Sequence, residues 1–238
     1  MIINKMKEKL EKLINFEQKI KIIFNNKQLL KEAFTHRSYI NENRECDWAH
    51  NERLEFLGDA VLELVATEYL FSKYPQHTEG DLTSFRAALV NTQSISEGAV
   101  FWNMNDYLLL SKGESRDVGK ARHSILANTF EAVIGAIYLD QGYQVTRDFI
   151  SKSLFHKTKK IVEQELWKDA KSRLQEKAQE ITYITPSYSI IKEVGPDHNK
   201  EFIVGVFIGD EMIAEGFGLS KQEAEQQAAE KALKIKKW

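Results

Sequence analysis

Three carboxylates lie at helical spacing within residues 51–59, and their arrangement suits the binding of a hard cation. At about 100° per residue, Glu52, Glu55 and Asp59 fall within about 60° of one another around a helix axis. Like charges at this spacing repel by a few tenths of a kcal/mol per pair, so a solvated acidic stripe is the ordinary alternative. Two neighbouring residues favour a functional face instead.

These residues are Phe56 and Gly58. Phe56 falls on the acidic side, about 40° from Glu52, where it is not expected to pack in the core. Gly58 sits in the middle of the helical pattern at a cost of roughly 1 kcal/mol relative to Ala, which indicates a packing or functional reason. The apolar residues predicted to anchor this helix lie on the opposite side: Leu54, Leu57, Val61 and Val65.

A second acidic face follows within residues 124–139. Asn128 and Glu131 are three apart and therefore neighbours on a helix, and Gly135 leaves the same face without bulk. The predicted buried side is formed by Phe130, Val133, Ile134 and Ile137. Oxygen ligands from two helices, without His or Cys, are what Mg²⁺ or Mn²⁺ prefers and what zinc does not.

Composition indicates an ordinary globular chain and excludes several classes. Of 238 residues, 42% are apolar and 29% charged, which is enough for one large or two smaller cores. The single Cys46 cannot form an internal disulfide, and no run approaches the roughly 20 apolar residues of a membrane span or resembles a signal peptide. We therefore expect a cytoplasmic protein without a membrane partner. The net charge of −2 does not by itself indicate a nucleic-acid partner.

Hydrophobic periodicity predicts two domains. Residues 1–158 read as mostly helical, residues 159–165 as a linker and residues 166–238 as a smaller α-β-β-β-α domain. In the second domain we predict a helix over 170–181, with Leu174, Ala178 and Ile181 inward. Strands are predicted over 188–194, 201–208 and 211–216, and a final helix is predicted after the cap Ser220, with Glu223 completing a capping box. Its inner face consists of alanines 224, 228, 229 and 232.

The first domain resembles the ribonuclease III family of double-stranded-RNA endonucleases. The resemblance rests on NERLEFLGDAVL (51–62), FTHRSY (34–39), EGDLTSFRAALVN (79–91) and LANTFEAVIGAIYLD (126–140). It implies an all-α endonuclease domain in which Glu55, Asp59 and Glu131 are metal-binding catalytic carboxylates. It also implies that Glu52 is an accessory acid and that Phe56 contacts the partner in a homodimer.

Asn128 departs from the family pattern, which commonly has Asp at this position in bacterial members. An amide oxygen can still ligate Mg²⁺ or hold a bound water, so we retain Asn128 in the predicted metal site with Glu55, Asp59 and Glu131. The loss of one negative charge predicts a weaker affinity for the metal.

The second domain resembles the double-stranded-RNA-binding domain, through GPDHNKEF (195–202) and GFGLSKQEAEQQAAEKAL (216–233). Such domains recognise the shape of A-form RNA through 2′-hydroxyl and phosphate contacts. The resemblance implies RNA contacts by Gln175, Glu176 and Gln179 on the first helix, by His198 in the strand loop and by Lys221 at the start of the last helix. Gln222 stands where that family usually has a second lysine.

Other residues carry two interpretations. In FTHRSY, His36 and Arg37 either contact substrate or position a helix. The basic loop of Lys112, Arg116, Lys120 and Arg122 either follows the RNA backbone or is simply solvated. We interpret Trp48, Trp102 and Trp167 as packing residues, because a duplex offers no open base faces.

Together with the two acidic faces, the resemblance implies a homodimeric, Mg²⁺-dependent endonuclease, with Mn²⁺ able to substitute, that hydrolyses double-stranded RNA. It also implies products with 5′-phosphate and 3′-hydroxyl ends and substrates that include ribosomal RNA precursors, and no small-molecule organic cofactor is expected. One alternative is a non-catalytic RNA-binding protein that keeps the nuclease fold for dimerisation. The other is a metal-dependent phosphohydrolase acting on nucleotides, which would have no use for the C-terminal domain.

Overall fold

The computed structural model describes residues 13–116, 119–165, 167, 169–195 and 200–238. The chain divides between residues 165 and 166 into two compact units. The first unit is helical, and the second combines helices with a three-stranded antiparallel sheet. Both architectures agree with the fold class predicted from the sequence.

The first unit is built from helices joined by short loops and 3₁₀ turns. Within its described residues, β-type pairing is limited to a single bridge between Thr35 and Leu109. The helices are α1 (residues 13–20), α2 (Lys27–Ala33), α3 (Arg37–Glu42), α4 (Glu52–Lys73), α5 (Glu79–Leu89), α6 (Thr92–Phe101), α7 (Lys120–Leu154) and α8 (Thr158–Glu163).

The core of this unit lies where α4 packs along α7. The apolar face predicted for α7 is fully buried, and it comprises Phe130, Val133, Ile134 and Ile137. On α4, Leu54, Val61 and Val65 are buried as predicted. Leu57 is only partly buried, because it borders a surface groove that also contains Phe56.

Helix α7 changes direction at Gly142. This residue has φ 77° and ψ −176°, in the left-handed half of conformational space that side chains with a Cβ rarely adopt. The segment after the bend returns to the core, where Phe149 stacks on Trp102 at 5.7 Å between ring centroids. The indole Nε1 of Trp102 donates to Ser153 Oγ at 2.7 Å, so Trp102 is a packing residue, as predicted.

Side-chain caps encoded in the sequence set the starts of α5 and α6. Thr78 Oγ1 accepts from the backbone N of Asp81 at 3.2 Å, and Asp81 Oδ2 accepts from the backbone N of Thr78 at 3.1 Å, which forms a complete capping box. Asn91 Oδ1 accepts from the backbone N of Ser94 at 2.8 Å at the start of α6. Each cap satisfies donors that have no partner within the helix.

The predicted linker is largely helical. Residues 159–163 belong to α8, which packs against α5 and buries Ile161. The first unit therefore extends through the segment where charged residues replace the apolar pattern in the sequence.

The second unit runs helix, three strands, helix, in the predicted order. Its strands pair antiparallel in the order β1-β2-β3, with a register shift between Ile190 and Lys192 on β1. The elements are α9 (Ala170–Thr182), β1 (Ser187–Val194), β2 (Glu201–Ile208), β3 (Glu211–Gly218) and α10 (Lys221–Lys236).

Helix α10 lies directly on β3. A Cβ added to Gly216 would lie 2.0 Å from the carbonyl oxygen of Ala224, so the two backbones are in contact. The alanine face predicted for α10 is fully buried at Ala224, Ala228, Ala229 and Ala232. On α9, Leu174 and Ala178 complete this core. The prediction for Ile181 was wrong: it is 52% exposed, because it lies in the last turn of α9, beyond the residues that form the core.

Candidate functional site

Two glycines allow α4 and α7 to touch. A Cβ added to Gly58 would lie 1.8 Å from the carbonyl oxygen of Glu131, and a Cβ added to Gly135 would lie 2.3 Å from the carbonyl oxygen of Leu54. Any side chain at either position would force the helices apart. The crossing therefore sets Glu55 and Asp59, the residues that follow Leu54 and Gly58, beside the segment of α7 that carries Glu131.

The carboxylates at this crossing are close enough to perturb one another. Burial raises the pKa of Glu131 from its ordinary 4.5 to about 7, with the charges of Asp59 and Glu55 adding to the effect. Burial also raises the pKa of Glu55, and the charges of Glu52 and Asp59 act in the same direction. Mutually raised pKa values are typical of carboxylates that share a site without a compensating cation.

Asn128 lies beside Glu55 in this group. Its side chain is close enough to lower the pKa of Glu55, against the larger effect of burial. Since an ionised carboxylate only accepts hydrogen bonds, a lowered pKa is the effect expected of an amide NH₂ directed toward it. An aspartate at this position would add a further negative charge and would lose this donor.

The chemistry of these side chains fits a hard divalent cation. Glu55, Asp59 and Glu131 offer carboxylate oxygens and Asn128 offers an amide oxygen, the donor set that Mg²⁺ prefers. Among the described residues, no three His, Cys, Asp or Glu side chains already converge closely enough to hold an ion. Repulsion between like charges disfavours such convergence in the protein alone, and a bound cation would remove this repulsion.

Glu52 lies at the rim of this group and is half exposed. Its carboxylate lies 3.6 Å from Arg37 Nη1 and 3.7 Å from His50 Nδ1. Its charge is nevertheless felt at Glu55, whose pKa it raises. This placement is compatible with the predicted role of an accessory acid next to the metal-binding carboxylates.

Phe56 is 83% exposed, although it lies within a long packed helix. It borders a surface groove of about 560 Å³ that is lined mainly by residues from the start of α4 and the loop before it. The wall of the groove is formed by Glu32, Ala49, His50, Glu52, Arg53, Leu54, Phe56 and Leu57. Half of the residues that line the groove are apolar, so the exposed ring and the groove together form a partly apolar surface.

His36 positions a helix. Its Nδ1 accepts from the backbone N of Ser38 at 3.3 Å, which caps α3 at its first turn. The interpretation of Arg37 differs, because its side chain extends outward to Glu52. The sequence gives no reason to assign different roles to His36 and Arg37. Only the path of the backbone between α2 and α4 decides which of the two side chains is directed inward.

In the second unit, the described RNA-binding candidates are exposed. Gln175, Glu176 and Gln179 lie on the side of α9 opposite its buried residues, and Gln179 Nε2 donates to Thr185 Oγ1 at 3.1 Å. Lys221 is the first residue of α10, and its Nζ lies 3.9 Å from Glu193. The fifth candidate, His198, lies outside the described residues.

The pairing of Lys221 with Glu193 has no signal in the sequence. These residues are far apart in the chain, and no local pattern indicates that the end of β1 approaches the start of α10. The capping box predicted at Ser220 is present in altered form: Ser220 Oγ accepts from Glu223 N, but Glu223 Oε2 accepts from Leu219 N.

Known proteins match both units of the chain. A family described as "Ribonuclease-III-like" matches residues 26–158, and the "Double-stranded RNA binding motif" matches residues 170–236. Ribonuclease 3 of a Nitratiruptor species is 44% identical over 228 residues, which cover 96% of this chain and 98% of that protein. Ribonuclease 3 of Carboxydothermus hydrogenoformans is 47% identical over 227 residues, covering 95% and 97% respectively.

A solved structure gives the same result for the first unit. The nuclease domain of ribonuclease III from Campylobacter jejuni is 43% identical and superposes with a TM-score of 0.52, covering 58% of this chain and 95% of that domain. Its description refers to a region involved in dimer formation, which is a property of that protein. No helix within the described residues is long and apolar enough to cross a membrane.

The family matches, the identities over nearly the whole chain and the acidic crossing of α4 and α7 lead to one conclusion. The chain belongs to the ribonuclease III family of endoribonucleases, with a helical nuclease domain followed by a double-stranded-RNA-binding domain.

Proposed function

We propose that this chain is a Mg²⁺-dependent endonuclease that hydrolyses phosphodiester bonds of double-stranded RNA, with Mn²⁺ as an effective substitute. The observation that carries the proposal is the close crossing at Gly58 and Gly135, which places Glu55, Asp59 and Glu131 near enough that burial and then mutual repulsion raise the pKa of Glu131 to about 7. Such a group is costly to the fold unless it serves a function.

The proposed roles follow from the donor set. A bound divalent cation would supply an activated water and stabilise the negative charge of the phosphate in the transition state. Glu55, Asp59 and Glu131 would hold the cation, and Glu131 would release its proton when the cation binds. Asn128 would offer its amide oxygen to the cation and its NH₂ to Glu55, and Glu52 would act from the rim as an accessory acid. Hydrolysis would leave 5′-phosphate and 3′-hydroxyl ends.

The second unit would bind the duplex. Gln175, Glu176 and Gln179 present polar groups on one exposed side of α9, which suits contacts to the 2′-hydroxyls of a minor groove. Lys221 at the start of α10 suits a phosphate, because the positive end of the helix dipole adds to its own charge. His198 is retained as the fifth proposed contact.

A homodimer accounts for the exposure of Phe56. In a twofold symmetric dimer, the same surface is used by both subunits, so Phe56 of one would insert into the groove beside Phe56 of the other. The groove of about 560 Å³ is large enough for an aromatic ring. Two nuclease sites in one dimer would allow both strands of a duplex to be cut.

The proposed setting is the cytoplasm, where ribosomal and other RNA precursors would be substrates. The single cysteine, Cys46, is compatible with a reducing compartment. No small-molecule organic cofactor is proposed, because activated water is the only nucleophile that hydrolysis requires.

The deciding experiment is a gel assay on a uniform RNA duplex of about two helical turns or more. The wild-type chain is incubated with Mg²⁺, with Mn²⁺ and with a chelator, and the ends of the fragments are identified by labelling. We expect cleavage with either metal, none with chelator, and fragments with 5′-phosphates. Glu131→Gln serves as the matched variant, and it should bind the duplex without cutting it.

Other results would reject the proposal. Tight duplex binding without cleavage under all metal conditions would indicate an RNA-binding protein that keeps the nuclease fold for dimerisation. Hydrolysis of free nucleotides but not of duplex would indicate a phosphohydrolase of another class. Cleavage at the wild-type rate by Glu131→Gln would overturn the assignment of the site.

A further inference from the structure

Arg37 lies next to the candidate active site, between two residues that are hydrogen-bonded to another segment of the first unit. Of its two neighbours in the chain, His36 donates its backbone N–H to Leu109 O at 3.0 Å, and Ser38 Oγ accepts from the backbone N of Ser111 at 3.1 Å. The backbone of His36 and the side chain of Ser38 are therefore both held by the segment that follows α6, while the side chain of Arg37 is 64% exposed.

A further hydrogen bond connects the segment around Arg37 to the start of α4, the first helix of the candidate active site. The backbone N of Asn51 donates to Thr35 O at 2.9 Å, and Asn51 immediately precedes α4. Thr35 lies two residues before Arg37, and Asn51 lies one residue before Glu52. This hydrogen bond therefore holds the backbone positions of Arg37 and Glu52 near each other. Their ion pair across the gap, at 3.6 Å, follows from this arrangement.

The ion pair itself is weak. At 3.6 Å, the separation of Arg37 Nη1 and Glu52 Oε1 exceeds the roughly 2.7–3.2 Å of a hydrogen bond. Both side chains are about half exposed or more, and such pairs contribute about 0–1 kcal/mol. Arg37 can therefore exchange its partner at little cost when a stronger anion arrives.

A positively charged side chain that can exchange its partner would help the candidate active site to bind RNA. The crossing of α4 and α7 carries the acidic side chains of Glu52, Glu55, Asp59 and Glu131, whereas the proposed substrate is a polyanion. Metal ions would neutralise the centre of the site, but the phosphates flanking the scissile bond would still pass its acidic rim. Glu52 is part of that rim, and Arg37 lies directly against it.

We propose that Arg37 is a substrate-binding residue that leaves Glu52 and takes a backbone phosphate of the RNA duplex next to the cleaved bond. This inference rests on the proposed function and adds a contact from the nuclease domain itself. The planar guanidinium can donate two parallel hydrogen bonds to a phosphate, which a lysine cannot reproduce. Binding in this way exchanges a loose carboxylate contact for a charge-assisted pair.

The test compares three variants with the wild-type chain. Arg37→Gln removes the charge, Arg37→Lys keeps the charge without the fork, and Arg44→Gln makes the same charge change at an exposed position on the loop between α3 and α4. Duplex affinity is measured by titration in Mg²⁺ against salt concentration, in a Glu131→Gln background if the wild-type chain cuts. In the active background, kcat and KM are measured on the same duplex.

Loss of one phosphate contact has a specific signature. For Arg37→Gln we expect the slope of log affinity against log salt to fall by about 0.7–0.9. We expect KM to rise several-fold with little change in kcat, since the lost contact would be made equally before and during reaction. Arg37→Lys should keep the slope and lose part of the affinity, and Arg44→Gln should keep both. The melting temperature of Arg37→Gln should stay close to that of wild type.

Three results would overturn the inference. An unchanged salt slope for Arg37→Gln would show that Arg37 does not meet a phosphate. An equal change for Arg44→Gln would reduce the effect to general charge. A fall in kcat with unchanged KM and slope would show that Arg37 acts only through Glu52. If the wild-type chain does not cut duplex, the proposed function fails, but the slope still decides the role of Arg37.

Discussion

Asn128 on α7 lies beside Glu55 on α4, close enough for its side chain to lower the pKa of that carboxyl. This effect partly offsets the burial and the repulsion that raise the pKa of Glu55. An asparagine at this position therefore favours the ionised form of Glu55 without adding a negative charge of its own.

Asn128→Asp should raise the affinity for the metal and lower the stability of the metal-free protein. The added carboxylate strengthens the attraction for a divalent cation, so we expect half-maximal cleavage at a several-fold lower Mg²⁺ concentration. The metal-free protein should lose roughly 1 kcal/mol in its free energy of unfolding near neutral pH, because a donor is lost and a like charge is added. Metal titrations of activity and urea unfolding in chelator measure the two effects. Asn128→Ala is the control, and it should require more Mg²⁺. An unchanged Mg²⁺ dependence of Asn128→Asp would contradict this account.

Glu131→Gln should stabilise the metal-free protein in a pH-dependent way. The pKa of Glu131 is raised to about 7 in the folded state from the ordinary 4.5 that applies in the unfolded state. Between these values the unfolded chain gives up the proton that the folded chain retains, so wild-type stability decreases as pH rises from 4.5 to 7. Allowing for partial solvent exposure, the loss is about 1–2 kcal/mol.

The amide introduced by the Glu131→Gln substitution does not titrate, so the advantage of this variant should appear only above that window. Urea unfolding of both proteins at about pH 4 and about pH 8 in chelator checks the prediction. Equal effects of the substitution at the two pH values would be the contrary result. Addition of Mg²⁺ at the higher pH should reverse the order, since the wild-type site holds the cation more tightly than a site with one charge less.

Gly58→Ala should disrupt the crossing of α4 and α7. Its Cβ would lie 1.8 Å from the carbonyl oxygen of Glu131, so one helix must move. We expect a loss of roughly 3 kcal/mol in the free energy of unfolding and loss of cleavage, because the carboxylates no longer meet. Gly80→Ala is the matched control: that position in α5 is open, with the nearest atom 3.9 Å away, and alanine should be neutral or stabilising there. Thermal unfolding compares the two variants, and equal melting temperatures would be the opposing outcome.

Removing and adding a positive charge at the start of α10 should change the salt dependence of duplex binding in opposite directions. Lys221→Gln should lower the salt slope of duplex binding by roughly one unit, and Gln222→Lys should raise it by about the same amount. The ion pair of Lys221 with Glu193, at 3.9 Å and exposed, is too weak to prevent this exchange. Lys234→Gln, at the other end of the helix, is the control and should leave the slope unchanged. Equal slopes for all three variants would show that this end of α10 does not meet phosphates.

Phe56→Glu should convert the proposed dimer to a monomer. A charge placed where the exposed ring would enter the partner's groove cannot be buried without a large cost. Sedimentation velocity measures the change. Phe71→Glu is the control, since Phe71 is exposed on the same helix but borders a different groove. A monomeric wild-type chain, or a dimeric Phe56→Glu variant, would contradict the proposed interface.

Much of this molecule follows from local patterns in the sequence. The spacing of apolar residues predicts the packed faces of α4, α7 and α10, and Thr78 and Ser220 indicate where helices begin, because periodicity and capping act within a few residues. The same logic identifies Gly58 as an anomaly within a helix and Gly135 as a position without bulk on the second acidic face. Ile181 marks the limit: its spacing predicts burial, but the core ends before the last turn of α9.

Contacts between distant segments were decided only by the tertiary structure. Nothing in the sequence alone places Asn128 against Glu55, Lys221 near Glu193 or Arg37 beside Glu52. Each of these pairs joins two elements whose relative position depends on the packing of the whole unit. The sequence by itself therefore determined the elements, the carboxylates and the family. The protonation of Glu131 and the partner of Arg37 required the fold, because burial and the distances between charges exist only after packing.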